Sequence, residues 1–368
     1  MVQSIGIRGA GVAGLSLARE ILRSSTNCTV SLFDRRPRLP HPQRTFCFFA
    51  STKEALPVEP YKRWKNVRFR GQHFDRCIET ASSPYALVRG EDFFDSTLEE
   101  LEGRGACFSW ECGHVDIEGN SIRTNGGVYE FDKVIDASFD VSEARSLLWQ
   151  SFGGLWIQTA ADSFDPSTAL LMDILPSSES CPISFMYVLP ISTTEALVEH
   201  TTFSTHQMPS EWHLSLCYEW IQSHVHSQYE IISRESGLIP MGLERPVATE
   251  NVVIGSAGGA IRASTGYAFL NIQKQARELA RVLVEGGGGD MPRICEGPPR
   301  WYATADALFL KALATAPLKG SLLMGRLLEK APAQPLLRFL AGDAKIVEGL
   351  RVMSSAPKMM MIKALLSV

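Results

Sequence analysis

The chain has 368 residues, 45% of them hydrophobic and 21% charged, with a formal net charge of −4. That length suits one large domain or two that share an interface, and the acidic balance gives no footprint for nucleic acid. No apolar run reaches the roughly eighteen residues of a membrane-spanning helix, so membrane contact is expected only at the periphery. The eight cysteines are scattered without a CxxC pair, and no signal peptide follows Met1. A cytoplasmic protein with reduced thiols and no metal site is therefore expected.

The first thirty-four residues read as strand, glycine turn, helix and strand. The apolar run Ile5-Gly6-Ile7 meets Gly9-Ala10-Gly11-Val12-Ala13-Gly14, and helical apolar spacing follows from Leu15 to Leu22. Thr29 to Phe33 then alternates and ends on Asp34. This is a dinucleotide-binding pattern. Gly9 makes the tight turn, Gly11 admits a pyrophosphate and Gly14 lets helix and strand pack closely. The helix start at Val12 and Ala13 offers N–H groups and a positive dipole end to phosphate, and Asp34 can accept from ribose hydroxyls.

Arg35 to Pro42 is basic and rich in proline, which excludes a helix. The aromatic stretch Arg44-Thr45-Phe46-Cys47-Phe48-Phe49 is either a core strand or a flavin-lining one. Tyr85 to Arg89 reads as a strand leading into a helix that runs to about Glu102. Val115–Ile117 and Ser121–Arg123 read as a hairpin around Glu118-Gly119-Asn120. Lys133 to Asp136 reads as a buried parallel strand, with Asp136 as a cofactor-side or a simple surface acid.

From about residue 147 to 245 the pattern is mainly β, with one helix near Glu211–Ser223, and forms a second domain walling a substrate cavity. Asn251–Gly259 returns to the nucleotide domain as strand and small-residue turn, followed by Thr265-Gly266-Tyr267 and a helix from about Leu270 to Glu285. That arrangement can set N–H groups beside a phosphate or the polar edge of a flavin. Gly286 to Gly289 reads as a flexible linker. The remainder, 290–368, is helical, and its Met- and Lys-bearing end can serve as a membrane-resting face, a lid or a packed helix. The units are thus 1–80 and 81–146 (nucleotide domain), 147–245 (substrate domain), 246–285 (return segment) and 290–368 (helical region).

The order and spacing of these pieces resemble the FAD-dependent lycopene cyclase family, in particular its bacterial β-cyclase members. The resemblance rests on Gly9–Gly14 with Asp34, Arg44–Phe49, Val88–Asp95, Phe164-Asp165-Pro166 with Met172-Asp173, and Phe185–Pro190. It continues through Ala196–Thr201, Gly237–Met241, Ala257-Gly258-Gly259 with Ala263–Tyr267, Leu337–Leu340 and Met353–Lys358. Phe46 and Phe49 stand where the family often carries tryptophan, and Ser256 where related hydroxylases carry aspartate. The resemblance implies an α/β fold of the two-dinucleotide-binding, hydroxylase-like flavoprotein type, a Rossmann FAD domain with an inserted β-rich substrate domain and a helical C-terminal region. The expected cofactor set is Gly9, Gly11, Val12, Ala13, Gly14, Asp34, Arg35, Arg44, Thr45, Arg89, Asp136, Gly255, Ala257, Gly258, Gly259, Thr265, Gly266 and Tyr267.

It also implies cyclisation without net redox change. A terminal double bond of a polyene is protonated, the neighbouring double bond attacks the cation, and a proton leaves. Reduced FAD is the implied cofactor, with NAD(P)H as an indirect electron donor because a second dinucleotide fingerprint is missing. Glu199 matches the family's catalytic glutamate, and on a mostly apolar strand its burial would keep it protonated. His200 points to the opposite face of a regular strand. Glu235, beside a Gly237–Met241 turn, is the second carboxylate. Phe46, Phe48, Phe49, Trp149 and Trp156 can offer cation–π faces, and Tyr187 and Met241 complete the expected lipophilic pocket. A monooxygenase or reductase acting on another terpenoid, and a polyene carrier, are the competing readings.

Overall fold

The strands nearest the nucleotide motif are apolar at their centres and bury those residues. In the computed structural model, which describes residues 2–38, 43–50, 55–80, 83–244, 251–285 and 300–366, they form a five-stranded parallel sheet. Its order is Val252–Val253, Lys133–Asp136, Gln3–Arg8, Cys28–Phe33 and Cys107–Ser109. The helices Val12–Ser24 and Phe269–Glu285 pack against each other beside it. Leu15, Leu17 and Ile21 are fully buried in this core, each contributing about 1.5–3 kcal/mol. Val115–Glu118 and Ser121–Thr124 form the expected hairpin, joined by Gly127–Glu130, a strand so exposed that it carries no apolar alternation to read.

The second sheet has seven strands. In spatial order they are Tyr229–Leu243, Ser146–Thr159, Glu195–Ser204, Ile183–Pro190, Thr168–Ile174, Asn66–Gly71 and Phe74–Glu79. Asn66–Gly71 pairs in parallel with Thr168–Ile174, so residues 66–79 extend the substrate sheet although the sequence places them with the nucleotide unit. The helix Ser210–His224 covers one face of this sheet through Leu214, Cys217 and Ile221 against Leu155, Ile157 and Val198. Gly153 permits that approach, since a Cβ there would lie 2.9 Å from Cβ of His213.

A small antiparallel sheet of Thr45–Phe49, Tyr85–Arg89 and Lys62–Trp64 divides the two cores. Its alternating side chains supply both: Phe48, Ala86 and Val88 belong to the nucleotide core, while Phe49, Trp64, Tyr85 and Leu87 belong to the core under the large sheet. The described C-terminal residues form five α-helices, Arg300–Thr315, Gly320–Lys330, Ala333–Ala341, Ile346–Met353 and Lys358–Leu366. They close that second core with Leu310, Leu313, Leu323, Leu336 and Leu337. Leu39 to Pro42 and the Gly286–Gly289 stretch lie outside the described residues.

Candidate active site

At the nucleotide end each motif glycine has a measurable reason. Gly9 adopts φ +100°, a conformation L side chains rarely take. A Cβ on Gly14 would lie 1.9 Å from the carbonyl oxygen of Gly9, so only glycine lets the helix pack on the turn. Gly11 precedes the helix with no side-chain cap, and a Cβ there would meet only Nη2 of Arg36, at 3.7 Å. The first N–H groups of Val12–Ser24 therefore face open space beside a guanidinium, as an anion site requires. Gly255, at φ +77°, brings the return segment in, because a Cβ on it would lie 2.6 Å from Cβ of Ala13. The two glycine turns, separated by most of the chain, touch.

The charged residues expected around a cofactor divide into free and engaged. Asp34 accepts from the N–H of Ala10 (2.7 Å), the N–H of Arg36 (2.8 Å) and the Arg36 guanidinium (2.9 and 2.7 Å). Burial opposes its ionisation, but the Arg36 and Ala10 bonds outweigh burial and hold the carboxyl below its ordinary value. Its four acceptor positions are filled, so a ribose hydroxyl reaches Asp34 only where Arg36 releases it. Arg44 lies within the field of Arg36, and its guanidinium has no hydrogen-bond partner among the described residues, which leaves it open to a phosphate. Arg35 pairs with Asp140, and Arg89 with Asp92 while stacking over Tyr61. Asp136 receives a fork from Arg8 at 2.7 and 3.0 Å and the Ser138 N–H and hydroxyl. It ties strand ends together, with three of these donors on Oδ1 and one on Oδ2.

The return turn is held from behind. Gln275 accepts from the N–H of Gly255 and donates to the carbonyl of Gly258. Gly259 and Gly266 both have positive φ, and Ala257, Thr265 and Tyr267 are half-buried. Sequence reading missed Arg262, which lies fully buried against Asp306 and donates to the carbonyls of Phe339 and Leu340. Ser264 also donates to Asp306, at 2.7 Å, so the turn is bolted to the C-terminal helices.

The catalytic candidates meet in the large sheet. Gly154 pairs with Glu199 on one neighbouring strand and with Glu235 on the other, and Tyr187 follows Glu199 one strand further. Four residues thus form one row on one face: Glu235, Gly154, Glu199, Tyr187. Glu199 and Glu235 are only 7% and 5% exposed. Thr201 donates to Glu199 at 2.6 Å, while Thr45 donates to Glu235 at 2.7 Å and Trp156 Nε1 approaches its other oxygen at 3.4 Å. Burial raises both carboxyls above the ordinary range, and Glu199 is raised further by the charge of Glu235. The Gly237–Met241 segment is no turn: it continues the edge strand Tyr229–Leu243. An edge tolerates Pro240, and Gly237 is needed because the Phe152 ring occupies its side-chain space.

Phenols line the same region. Tyr85 and Tyr187 hydroxyls lie 2.8 Å apart, and Tyr267 donates to Tyr85 at 3.3 Å. Burial raises all three above their ordinary values and keeps them neutral.

A family model described as "Lycopene cyclase protein" matches residues 5–366. The chain belongs to the lycopene cyclase family. Its fold is shared with solved flavoproteins. A geranylgeranyl bacteriochlorophyll reductase-like protein from Thermoplasma acidophilum is 14% identical, with TM-score 0.66 over 100% of this chain and 99% of that one. The flavin-dependent brominase Bmp2 is 13% identical with TM-score 0.62, over 99% and 98%. CtdE, solved in complex with FAD, is 12% identical with TM-score 0.56 over the full length of both.

Within this lycopene cyclase family member, strand alternation corrects part of the aromatic pocket expected from sequence. Phe46 and Phe48 stack on Phe269 at 4.9 and 5.3 Å, inside the nucleotide core, and so turn away from the carboxyl row. Phe49 points the other way and packs edge-on against Tyr85 at 4.9 Å. Trp149 is an odd number of residues from Gly154 in an unbroken register and lies on the opposite face, whereas Trp156 and Met241 share the carboxyl face. His200 lies on the back face, between Ser184 (2.8 Å) and His213 (2.9 Å), as strand alternation requires. The signal for Phe46 and Phe48 was available in the two-residue period of their strand. Among the described residues no three His, Cys, Asp or Glu side chains are placed to hold a metal.

Proposed function

We propose that this lycopene cyclase family member binds FAD and cyclises the end group of an acyclic carotenoid or related polyene by protonation. The observation carrying this reading is the buried carboxyl pair, Glu199 and Glu235, held in register across Gly154 on an aromatic, water-poor face of the sheet. A carboxyl raised by burial is protonated near neutral pH and can act as a general acid. Glu199, with Glu235 beside it, is such an acid. Tyr187, Tyr85, Phe49 and Trp156 supply neutral π faces, each worth roughly 0.5–2 kcal/mol to a desolvated cation.

The residues fit FAD. The uncapped helix start at Gly11, the unpartnered Arg44 guanidinium and the touching Gly255 turn suit a pyrophosphate, while Thr265, Gly266 and Tyr267 suit the flavin end. When bound in reduced form, FAD supplies negative charge beside the reacting end group without taking up its electrons. NAD(P)H, as an indirect donor, would keep it reduced.

Access for so apolar a substrate is proposed through peripheral membrane contact at the C-terminal helices. Ile346, Val347 and Leu350 are exposed between Lys345 and Arg351, and Met359, Ile362, Leu365 and Leu366 beside Lys358 and Lys363. No single described helix is long and apolar enough to cross a membrane.

The test is the mass of the product. Purified protein with FAD is incubated with lycopene in liposomes under reducing, oxygen-free conditions. Unchanged mass with an altered polyene absorption is expected. A gain of oxygen on readmitting air, or of two hydrogens, would replace cyclisation with a monooxygenase or reductase reading.

A further inference from the structure

The two glutamates of the row differ in what surrounds them. Glu235 accepts from Thr45 on one oxygen and is approached by the Trp156 N–H on the other. Both groups donate, and donors favour an ionised carboxylate. Glu199 has one such neighbour, the Thr201 hydroxyl, against two for Glu235, of which the Trp156 N–H can only donate. Among the described residues, the remaining titratable groups on the pair's own face of the sheet are Cys47, from the strand laid across the row, and the phenols of Tyr187, Tyr85 and Tyr267. All four are pushed toward their neutral forms by burial, Cys47 further by both glutamates. No cation among the described residues pairs with either carboxylate. One negative charge is therefore the most this site holds comfortably, and the donor set places it on Glu235.

We propose that Glu199 and Glu235 share a single proton, that Thr45 and Trp156 hold it on Glu199 by fixing Glu235 as the anion, and that Glu235 is the terminal base of the cyclisation. This rests on the proposed reaction class. Glu199 gives its proton to the terminal alkene carbon and becomes a carboxylate. The neighbouring double bond supplies the electron pair for the new ring bond, moving the positive charge onto the ring. Glu235 then removes the ring proton, and that C–H pair becomes the ring double bond. One proton has passed from Glu199 to Glu235, and its return across Gly154 resets the pair. No oxidant or reductant is consumed. Thr45 is a positioning residue in this scheme, acting through Glu235.

The test counts protons on the holoenzyme without substrate, so it stands apart from any failure to form a ring. Infrared spectra of protein carrying 13C-labelled glutamate carboxyls are compared between wild type, E199Q and E235Q at neutral pH. One buried protonated carboxyl is expected, absent in E199Q and retained in E235Q. Thr45→Val should move part of that signal onto Glu235, and Thr45→Ser should restore the wild-type pattern. With lycopene in D2O, E235Q should return uncyclised substrate carrying deuterium, with ring formation down at least about 100-fold. Two protonated carboxyls, none, or one lost in E235Q and kept in E199Q would overturn the assignment. So would Thr45→Val spectra identical to wild type, or E235Q that closes rings at the wild-type rate.

Discussion

Glu199 and Glu235 stand opposite the same residue, Gly154, one strand away on either side. Adjacent strands lie about 4.8 Å apart, so their Cα atoms are separated by roughly 10 Å across Gly154. A Cβ on Gly154 would lie 2.9 Å from Leu197 Cδ1 and 3.3 Å from Glu199 Cβ. Gly154→Ala should therefore displace Glu199 at its root. Overpacking of this kind costs about 1–3 kcal/mol, readable as a lower urea midpoint, and turnover should fall more than the stability loss accounts for. Unchanged turnover in a folded Gly154→Ala protein would remove the glycine from its spacing role.

The buried groups on the two faces of this sheet pull stability in opposite directions with pH. Glu199 is raised to about 8 by burial and by Glu235, and Glu235 is raised in the same sense. Their protonated forms stabilise the fold fully below an ordinary carboxylate value of about 4.5, and that stability is lost as pH rises toward 8. His200 and His213 are lowered by burial to about 3 and about 4. Their contribution is present above about 6.5 and is lost as pH falls through the acid range. Above pH 6.5 only the carboxyl slope remains, at most about 1.4 kcal/mol per pH unit for each proton. Urea unfolding should show stability falling from pH 6.5 to 8. The E199Q/E235Q double variant should be flat there, and an equal slope in that variant would place its origin elsewhere.

Local period and motif made much of this legible. The glycine fingerprint gave the first strand, turn and helix, and the apolar run around Glu199 exposed a carboxylate that had to be buried. What escaped was set by distant partners. Nothing within Asn66–Glu79 says that it pairs in parallel with Thr168–Ile174. Gly237 and Pro240 look like a turn until the Phe152 ring and the free edge of the strand explain them. Asp34 has the spacing of a ribose ligand, yet its saturation by Arg36 depends on a side chain whose direction no spacing rule fixes.

Gly11 and Gly14 should behave differently when given a methyl group. At Gly11 the backbone is extended and the added Cβ meets only Arg36 Nη2 at 3.7 Å, so Gly11→Ala should fold with a loss of about 1 kcal/mol, that of a poorer N-cap. It nevertheless fills the space a pyrophosphate would use, and flavin retained through gel filtration should drop about tenfold or more. Gly14→Ala drives the methyl into the Gly9 carbonyl and should cost stability even without flavin. Full flavin retention by Gly11→Ala would contradict the cradle.

Arg262 and Asp306 form the most deeply buried ion pair described here, each side chain 3% exposed. Tyr302 and Phe339 rings lie 4.5 and 4.7 Å from the guanidinium, which also donates to two main-chain carbonyls of the Ala333–Ala341 helix. The charge on Arg262 is thus compensated from several sides, but among the described residues Asp306 is its only ion-pair partner. Asp306→Leu should cost about 3–5 kcal/mol because it strands a buried cation. Adding Arg262→Met should recover part of that loss while leaving the Phe339 and Leu340 carbonyls unpaired, so the double variant should fall between Asp306→Leu and wild type. The Arg262 main chain also closes this turn: its carbonyl accepts from the N–H groups of Thr265 and Gly266, and its N–H donates to the Tyr267 carbonyl. Loosening it should therefore weaken flavin retention in proportion to the stability lost. A double-mutant cycle by urea unfolding measures the coupling, and single substitutions costing less than about 1 kcal/mol would show that the C-terminal helices hold this turn by packing alone.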